Sequence, residues 1–374
     1  MNKGVYIHVP FCVKKCAYCD FYSVGGTSPE VREEYSHTLI KHIEMSRDKS
    51  LICDSIYFGG GTPSLMEPEW IDNILCALGE SFSVASDCEI TLEANPETFD
   101  LERLQGYRKA GVNRLSMGVQ SLDDRSLSAL GRIHTSSRVA QAVNEAAEAG
   151  FENISCDIMF GIPHQTPKTL SDTLTTLCTF PVTHISAYGL KIEEGTPFSK
   201  SRPELPDEDA ENEMYFMIAN TLEKEGFEQY EISNFAKNGA FSRHNMKYWQ
   251  GDEYISFGPC AASYLDGQRY TYERSLERYT KSIQNGKNPP ESERYTVDEE
   301  ERKRERIIFG LRLSRGISLE KSGLCEEKLN SSAVIRRLVN EKYMVIENGI
   351  LRLTKEGFRI SNAIINEVLD ISYM

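Results

Sequence analysis

Cys12, Cys16 and Cys19 lie in Tyr6-Ile-His-Val-Pro-Phe-Cys12-Val-Lys-Lys-Cys16-Ala-Tyr-Cys19-Asp-Phe21, near the start of the chain. Three thiolates at C-x3-C-x2-C in one short loop form a ligand set for a soft metal. A structural iron–sulfur or zinc site closes its coordination with four protein ligands. Three thiolates on an iron–sulfur cubane leave one iron open to a small molecule; zinc is the alternative metal. With 10 Cys in 374 residues, this spacing should arise by chance only roughly 0.007 times.

Other reactive or ligand-binding types follow at intervals. Gly59-Gly60-Gly61-Thr62-Pro63 carries three consecutive glycines, which let backbone approach a neighbour closely. Glu93 stands in Thr91-Leu-Glu-Ala-Asn-Pro96, Gln120 in Leu115-Ser-Met-Gly-Val-Gln-Ser121, and Asp157 in Ser155-Cys-Asp-Ile-Met-Phe-Gly161. Arg132 precedes a helical segment in Leu130-Gly-Arg-Ile-His-Thr135. A single buried acid or amide can serve only to tie down a loop. Several polar side chains at one end of successive strands instead form a cup. Acids suit hydroxyl and ammonium groups; arginine suits a carboxylate.

The elements that must position these residues alternate. Short β-branched runs at Val5–Val9, Ser55–Gly59, Glu89–Glu93, Arg114–Gln120, Ile154–Phe160 and Thr183–Leu190 are separated by helical segments. Those segments lie near 30–47, 67–79, 100–110, 136–149 and 168–179. This pattern predicts βαβ units, a parallel sheet and, with no clear seventh or eighth strand, a partial (β/α)6 barrel of the α/β class. Ligands then sit at the C-terminal strand ends, where the polar residues fall.

A long helix is expected at about 207–225, then a β-rich stretch to about 280. Gln284-Asn-Gly-Lys-Asn-Pro-Pro290 reads as a linker. Beyond it, helices precede a hairpin over Val345–Leu353 with its turn at Asn348-Gly349, a winged-helix-like pattern. We expect three parts: the barrel at 1–205, an α/β extension at 206–290 and a smaller helical, winged-helix-like domain at 291–374.

A net charge of −14 argues against a nucleic-acid or anionic-membrane binder. In the C-terminal part, Arg302, Lys303, Arg304 and Arg306 interleave with Glu299, Glu300 and Glu305, a solvated face and not a basic stripe. There is no apolar run of 18 residues and no apolar leader before Cys12. The remaining seven cysteines lack ligand spacing and read as reduced thiols, so a cytoplasmic location is expected.

The cysteine motif resembles that of the radical S-adenosylmethionine (SAM) superfamily, in which three cysteines hold a [4Fe–4S] cluster whose open iron binds SAM. The GGGTP, EANP, GVQS and LGRIHT segments, Asp157–Gln165 and Ile192-Glu-Glu-Gly-Thr-Pro-Phe198 resemble the oxygen-independent coproporphyrinogen III oxidase group within it. The resemblance implies that Cys12, Cys16 and Cys19 bind the cluster. It also implies SAM contacts from Tyr6, Gly60, Gly61, Thr62, Glu93, Gln120, Arg132 and Asp157.

Two branches share that core. The oxidase branch has a further cysteine two residues after the third and a longer N-terminal extension. Here Phe21 takes that place, and 11 residues precede Cys12. The heme chaperone branch, the HemW type, is marked by H-N-x-x-Y-W. This chain has it as His244-Asn-Met-Lys-Tyr-Trp249, after Tyr230-Glu-Ile-Ser-Asn-Phe-Ala236. Imidazole can ligate haem iron, and Tyr and Trp offer flat faces to a porphyrin. A buried His–aromatic cluster is the purely structural alternative. The expectation is a haem-binding chaperone carrying a [4Fe–4S] cluster and SAM, with His244 toward haem, and no coproporphyrinogen decarboxylation. The alternative is a radical SAM oxidase acting on porphyrinogen propionates. The resemblance implies three partners: haem, a haem-accepting protein such as a membrane-bound respiratory enzyme, and an electron donor. Two departures stand out. Gly258-Pro-Cys-Ala-Ala-Ser-Tyr264 has Ala262 where that branch has a histidine, and His164 replaces a usual glycine.

Overall fold

A computed structural model describes residues 2–372. Six parallel strands run in sequence order across its centre: β1 (Lys3–Val9), β2 (Ile52–Gly60), β3 (Ser83–Ala94), β4 (Arg114–Gln120), β5 (Asn153–Phe160) and β6 (His184–Gly189). All six expected strands are present, β3 starting six residues earlier than its β-branched run suggested. Between them pack α1 (Pro29–Met45), α2 (Pro68–Ser81), α3 (Leu101–Ala110), α4 (Asp124–Leu130), α5 (Ser136–Glu148) and α6 (Pro167–Cys178).

The strands alternate because successive side chains face opposite sides. Val5, Ile7 and Val9, with Leu115, Met117 and Val119, are buried in one core with Leu39 and Ile43 of α1 and Ile71, Ile74 and Leu78 of α2. Burying each such side chain contributes about 1.5–3 kcal/mol, and Leu39→Ala should cost about 2–5 kcal/mol. The other face carries Tyr6, His8, Tyr57, Glu93, Arg114, Ser116, Asp157, His184 and Ser186, half-buried to buried. A polar interior is thus wrapped by an apolar shell.

Helix ends follow local chemistry. Thr166 caps α6, accepting from the Thr169 amide at 3.2 Å, with Pro167 in the first turn. α3 ends on Gly111 at φ 110°, a conformation that favours glycine.

The wall does not close. The sheet has twelve strands and two free edges. Beyond β6 come β8 (Asn234–Ala236) and β7 (Glu228–Gln229), both antiparallel additions. Beyond β1 lies β9 (Tyr254–Phe257), a further parallel strand, followed by antiparallel β10 (Ala262–Leu265), β11 (Gln268–Tyr272) and β12 (Glu291–Thr296). The partial barrel therefore gains a parallel neighbour that no β-branched run announced.

The long helix is α7 (Glu208–Lys224), as expected. The stretch expected to be β-rich contains two helices as well, α8 (Arg243–Gln250) and α9 (Leu276–Gln284). Ser242 caps α8, accepting from the Asn245 amide, and Gly251 ends it at φ 69°. After the turn-rich segment at 285–290, β12 returns to the edge of the main sheet. The C-terminal residues form a second core around Ile307, Leu329, Ile335, Met344 and Leu351. It holds helices and a three-stranded sheet in the order Ile317–Ser318, Ile350–Leu353, Met344–Glu347. The hairpin turn has Asn348 and Gly349 at φ 53° and 72°, a left-handed pair suited to a tight hairpin.

Candidate functional site

At the C-terminal ends of β2 to β6, beneath the loop that follows β1, lies a cavity of about 380 Å³. Cys12, Cys16 and Cys19 line one wall. All three are free thiols and half-buried. The loop is held from both sides: the Ala17 amide donates to Leu130 O (3.0 Å), and the Phe198 amide donates to Ala17 O (3.0 Å). Thr62 Oγ1 donates to Cys12 Sγ, and Arg132 Nη1 to Cys16 Sγ, each at 3.6 Å. Burial pushes the Cys19 thiol up, and the neighbouring Cys16 and Cys12 add to this.

The glycine run is built to reach the cysteine loop. The Gly61 amide donates to Val9 O at 2.8 Å and the Thr62 amide to Phe11 O at 2.7 Å. A Cβ on Gly61 would stand 2.6 Å from Phe11 O, and Gly60 sits at φ 109° against the His8 ring. These glycines therefore serve a close approach between two chain segments, and Gly60, Gly61 and Thr62 also line the cavity.

Glu93, Gln120, Arg132 and Asp157 line the same cavity. Glu93 accepts from Tyr57 Oη at 2.8 Å and from the Gly60 amide at 3.1 Å. Burial pushes its carboxyl up to about 7, against the pull of the Tyr57 bond. Asp157 accepts from Ser186 Oγ (2.6 Å), Ser116 Oγ (3.1 Å) and Ser155 Oγ (3.3 Å). Burial raises it too, while these hydroxyls and Arg114 hold it down. Gln120 ends β4 at φ 66°, a backbone setting that is uncommon for a non-glycine residue and costs about 1–3 kcal/mol.

Two expected site residues are not brought to the cavity. Tyr6 lies behind its wall, with Oη 3.1 Å from His8 Nδ1 and its ring stacked against Tyr57 and His244. His244, on α8, is buried inside the barrel. Its Nδ1 meets Ser55 Oγ at 3.1 Å and its Nε2 meets Tyr248 Oη at 2.8 Å. Both ring nitrogens are engaged, and Tyr57 stacks on the ring at 5.2 Å. Burial pushes the imidazole down to about 3. His244, expected to point toward haem, is placed here among Ser55, Tyr57 and Tyr248. The side chain is locked into the barrel floor and presents no free nitrogen to an iron. Ala262, where a histidine was expected, opens β10 away from the cavity lining.

Other lining residues went unremarked in the sequence. Arg114 is 1% exposed and two of its guanidinium nitrogens have no hydrogen-bond partner. Ser116, Ser186, Tyr57 and Asn245 also line the cavity, the last from the H-N-x-x-Y-W motif itself. Period-two alternation was the missed signal: Arg114, Ser116, Gly118 and Gln120 alternate with Leu115, Met117 and Val119.

The donor set fits a cluster better than a lone ion. Among the described residues no three His, Cys, Asp or Glu converge on a point suited to a single metal. Three thiolates along one cavity wall suit a cubane, where each sulfur binds a different iron. Carboxylates, an amide and an arginine opposite them suit a ligand with hydroxyls, an ammonium and a carboxylate.

Residues 6–177 match the Radical SAM superfamily, and residues 297–360 match the HemN C-terminal domain. The chain is 35% identical to "Heme chaperone HemW" of Bacillus subtilis, covering 98% of this chain and 99% of that protein. It is 31% identical to "Heme chaperone HemW" of Lactococcus lactis over 99% of this chain and 98% of that one. A zebrafish protein, "Radical S-adenosyl methionine domain-containing protein 1, mitochondrial", is 33% identical over 99% of this chain and 87% of its own length. The solved structure of coproporphyrinogen III oxidase (HemN) from Escherichia coli superposes with a TM-score of 0.84, at 19% identity, covering 100% of this chain and 91% of that one. That likeness speaks for the fold.

Proposed function

This chain belongs to the HemW heme chaperone family within the radical SAM superfamily, and on that basis we propose that it binds haem and passes it to haem-requiring acceptor proteins. The observation that carries the reading is near-full-length likeness to heme chaperones, in a chain with Phe21 where the oxidase branch has a further cysteine.

In this reading Cys12, Cys16 and Cys19 hold a [4Fe–4S] cluster, and Thr62 and Arg132 steady two of their sulfurs. The cluster supplies an open iron for the amino and carboxylate groups of SAM. Glu93 and Asp157, each held by hydroxyl or amide donors, are the acceptors for the ligand's ammonium and hydroxyl groups. Gln120 and Arg132 complete the cup. The polar interior below, from Tyr6 to His244, keeps these acceptors fixed. Cluster and SAM then stabilise the competent fold, and haem transfer needs no radical step. An electron donor and a haem acceptor are the implied protein partners, in a reducing cytoplasm. Among the described residues no helix is long and apolar enough to cross a membrane.

The test pairs two assays on anaerobically reconstituted protein. Haem titration should give a saturable Soret change, and coproporphyrinogen III with SAM and reductant should remain unconverted. Protoporphyrinogen formation would favour the oxidase instead.

A further inference from the structure

The walls of the cavity are polar, but its opening is not. Phe21 is 67% exposed and Val13 52%, both on the cysteine loop; Tyr188, at the end of β6, is 42% exposed. They are three of the nine large hydrophobic side chains exposed among the described residues. Phe21 and Tyr188 line the opening together with Lys14 and Lys15. Both lysines are exposed, and neither forms an ion pair among the described residues. Lys15 Nζ donates to Phe21 O at 3.0 Å, so cation and aromatic ring share one rim. Clustered exposed apolar residues beside polar ones mark a ligand or partner surface.

We propose that this rim is the haem-docking surface. One face of the macrocycle rests on Phe21 and Tyr188, and its carboxylates turn to Lys14 and Lys15. The bound porphyrin caps the cavity. This inference rests on the haem reading and adds a place to it.

Two other places fit less well. His244 has no free ring nitrogen. The groove of about 450 Å³ along the outer face of α8 mixes signs, Asp54, Glu228 and Asp252 against Arg243, Lys247 and Arg315, with Lys247 paired to Asp54 at 2.7 Å. Its acids stand beside its cations, whereas Lys14 and Lys15 at the rim have no acid paired to them among the described residues. At the rim, the contact is made through the ring face and carboxylates, so iron-free protoporphyrin should bind nearly as well as haem. A cap over the opening should also slow the exit of SAM from beneath it.

The experiment uses the reconstituted full chain with cluster and SAM, titrated with haemin by absorbance and with protoporphyrin IX by fluorescence. Phe21→Ser and Tyr188→Ala should each weaken both ligands about tenfold, as loss of a buried aromatic contact does. Lys14→Glu with Lys15→Glu should weaken them comparably, less so as salt rises. Iron content and cluster absorbance should be retained in each variant, and haem should slow release of labelled SAM from the wild type. Tyr188 lies outside the cysteine loop, so its variant stands even if a loop variant loses the cluster. Wild-type porphyrin affinity in both Phe21→Ser and Tyr188→Ala overturns the proposal. No haem uptake by the wild type is a different result, which removes the haem reading itself and this site with it.

Discussion

His244 Nε2 and Tyr248 Oη meet at 2.8 Å across one turn of α8, inside the barrel and one layer below the cavity. Within the motif that reads as a haem signature, His244 thus faces inward, toward Ser55, Tyr6 and Tyr57, while Trp249 packs beside Phe309. From Tyr57 a hydrogen bond leads to Glu93, from Glu93 to the Gly60 amide, and Thr62 then touches Cys12. The chaperone motif and the cysteine loop are ends of one run of contacts, through ring stacking from His244 to Tyr57 and hydrogen bonds beyond it.

His244→Ala should therefore destabilise the fold, not remove an iron ligand. It opens a cavity and leaves Ser55 and Tyr248 without a partner, a loss of about 2–4 kcal/mol. Chemical denaturation measures it. The position of the Soret band in haem-loaded variant should match wild type; a shifted band would return His244 to the iron.

Cys16→Ala should abolish the visible absorbance of the reconstituted cluster and lower thermal stability, because ligation orders the loop between Pro10 and Val24. Wild-type iron content should be about four per chain. Zinc in its place, or full retention of the cluster in Cys16→Ala, contradicts the assignment.

Asp157→Asn and Glu93→Gln should each weaken SAM binding by about ten- to hundredfold, since each removes a buried carboxyl acceptor at about 1–3 kcal/mol. Calorimetry reads this directly. Unchanged affinity in both would place SAM elsewhere.

Much of this architecture was legible because each level of the sequence agreed with the next. The six central strands are β-branched runs, and the cysteine spacing exceeds chance. The floor was harder to see. α8 is eight residues long and includes Tyr, Trp, His and Asn, all weak helix formers. Its Ser242 cap and Gly251 stop were readable signals, outweighed by the surrounding aromatic residues. β9 joins β1 through four register pairs, from Gly4 with Tyr254 to Ile7 with Phe257, each 250 residues apart, and such pairing is decided by packing, not by local propensity. Arg114 carries no local sign of burial, since a lone charge in a strand suits an edge equally well; in the structure it is almost fully enclosed.

Acid should destabilise the protein through its buried histidines. Burial lowers His42 and His244 to about 3, and His8 and His134 to about 4, from an ordinary 6.5. Their folded values are depressed, so their contribution is present above 6.5 and is lost as pH falls toward 4. Glu93 and Glu231, both pushed up to about 7, act oppositely: their burial costs stability as pH rises from 4.5 to 7. Burial also lowers His184 and raises Asp157 and Asp252, so five rings stand against four carboxylates, and the denaturation midpoint should fall on acidification from 6.5. His42, bonded to Tyr279 Oη at 2.7 Å in the outer core, lies away from the cavity. His42→Gln should show a shallower acid limb than wild type; an equal slope would refute the histidine account.

Haem delivery is the most direct test of the central claim. Haem-loaded, anaerobically reconstituted protein is mixed with the haem-free form of a haem protein, and acceptor haem is followed by its absorbance. The account predicts that the acceptor fills from the loaded chain while coproporphyrinogen III, supplied with SAM and reductant, stays intact. A chain that takes up no haem, yet releases carbon dioxide from coproporphyrinogen III, would contradict it.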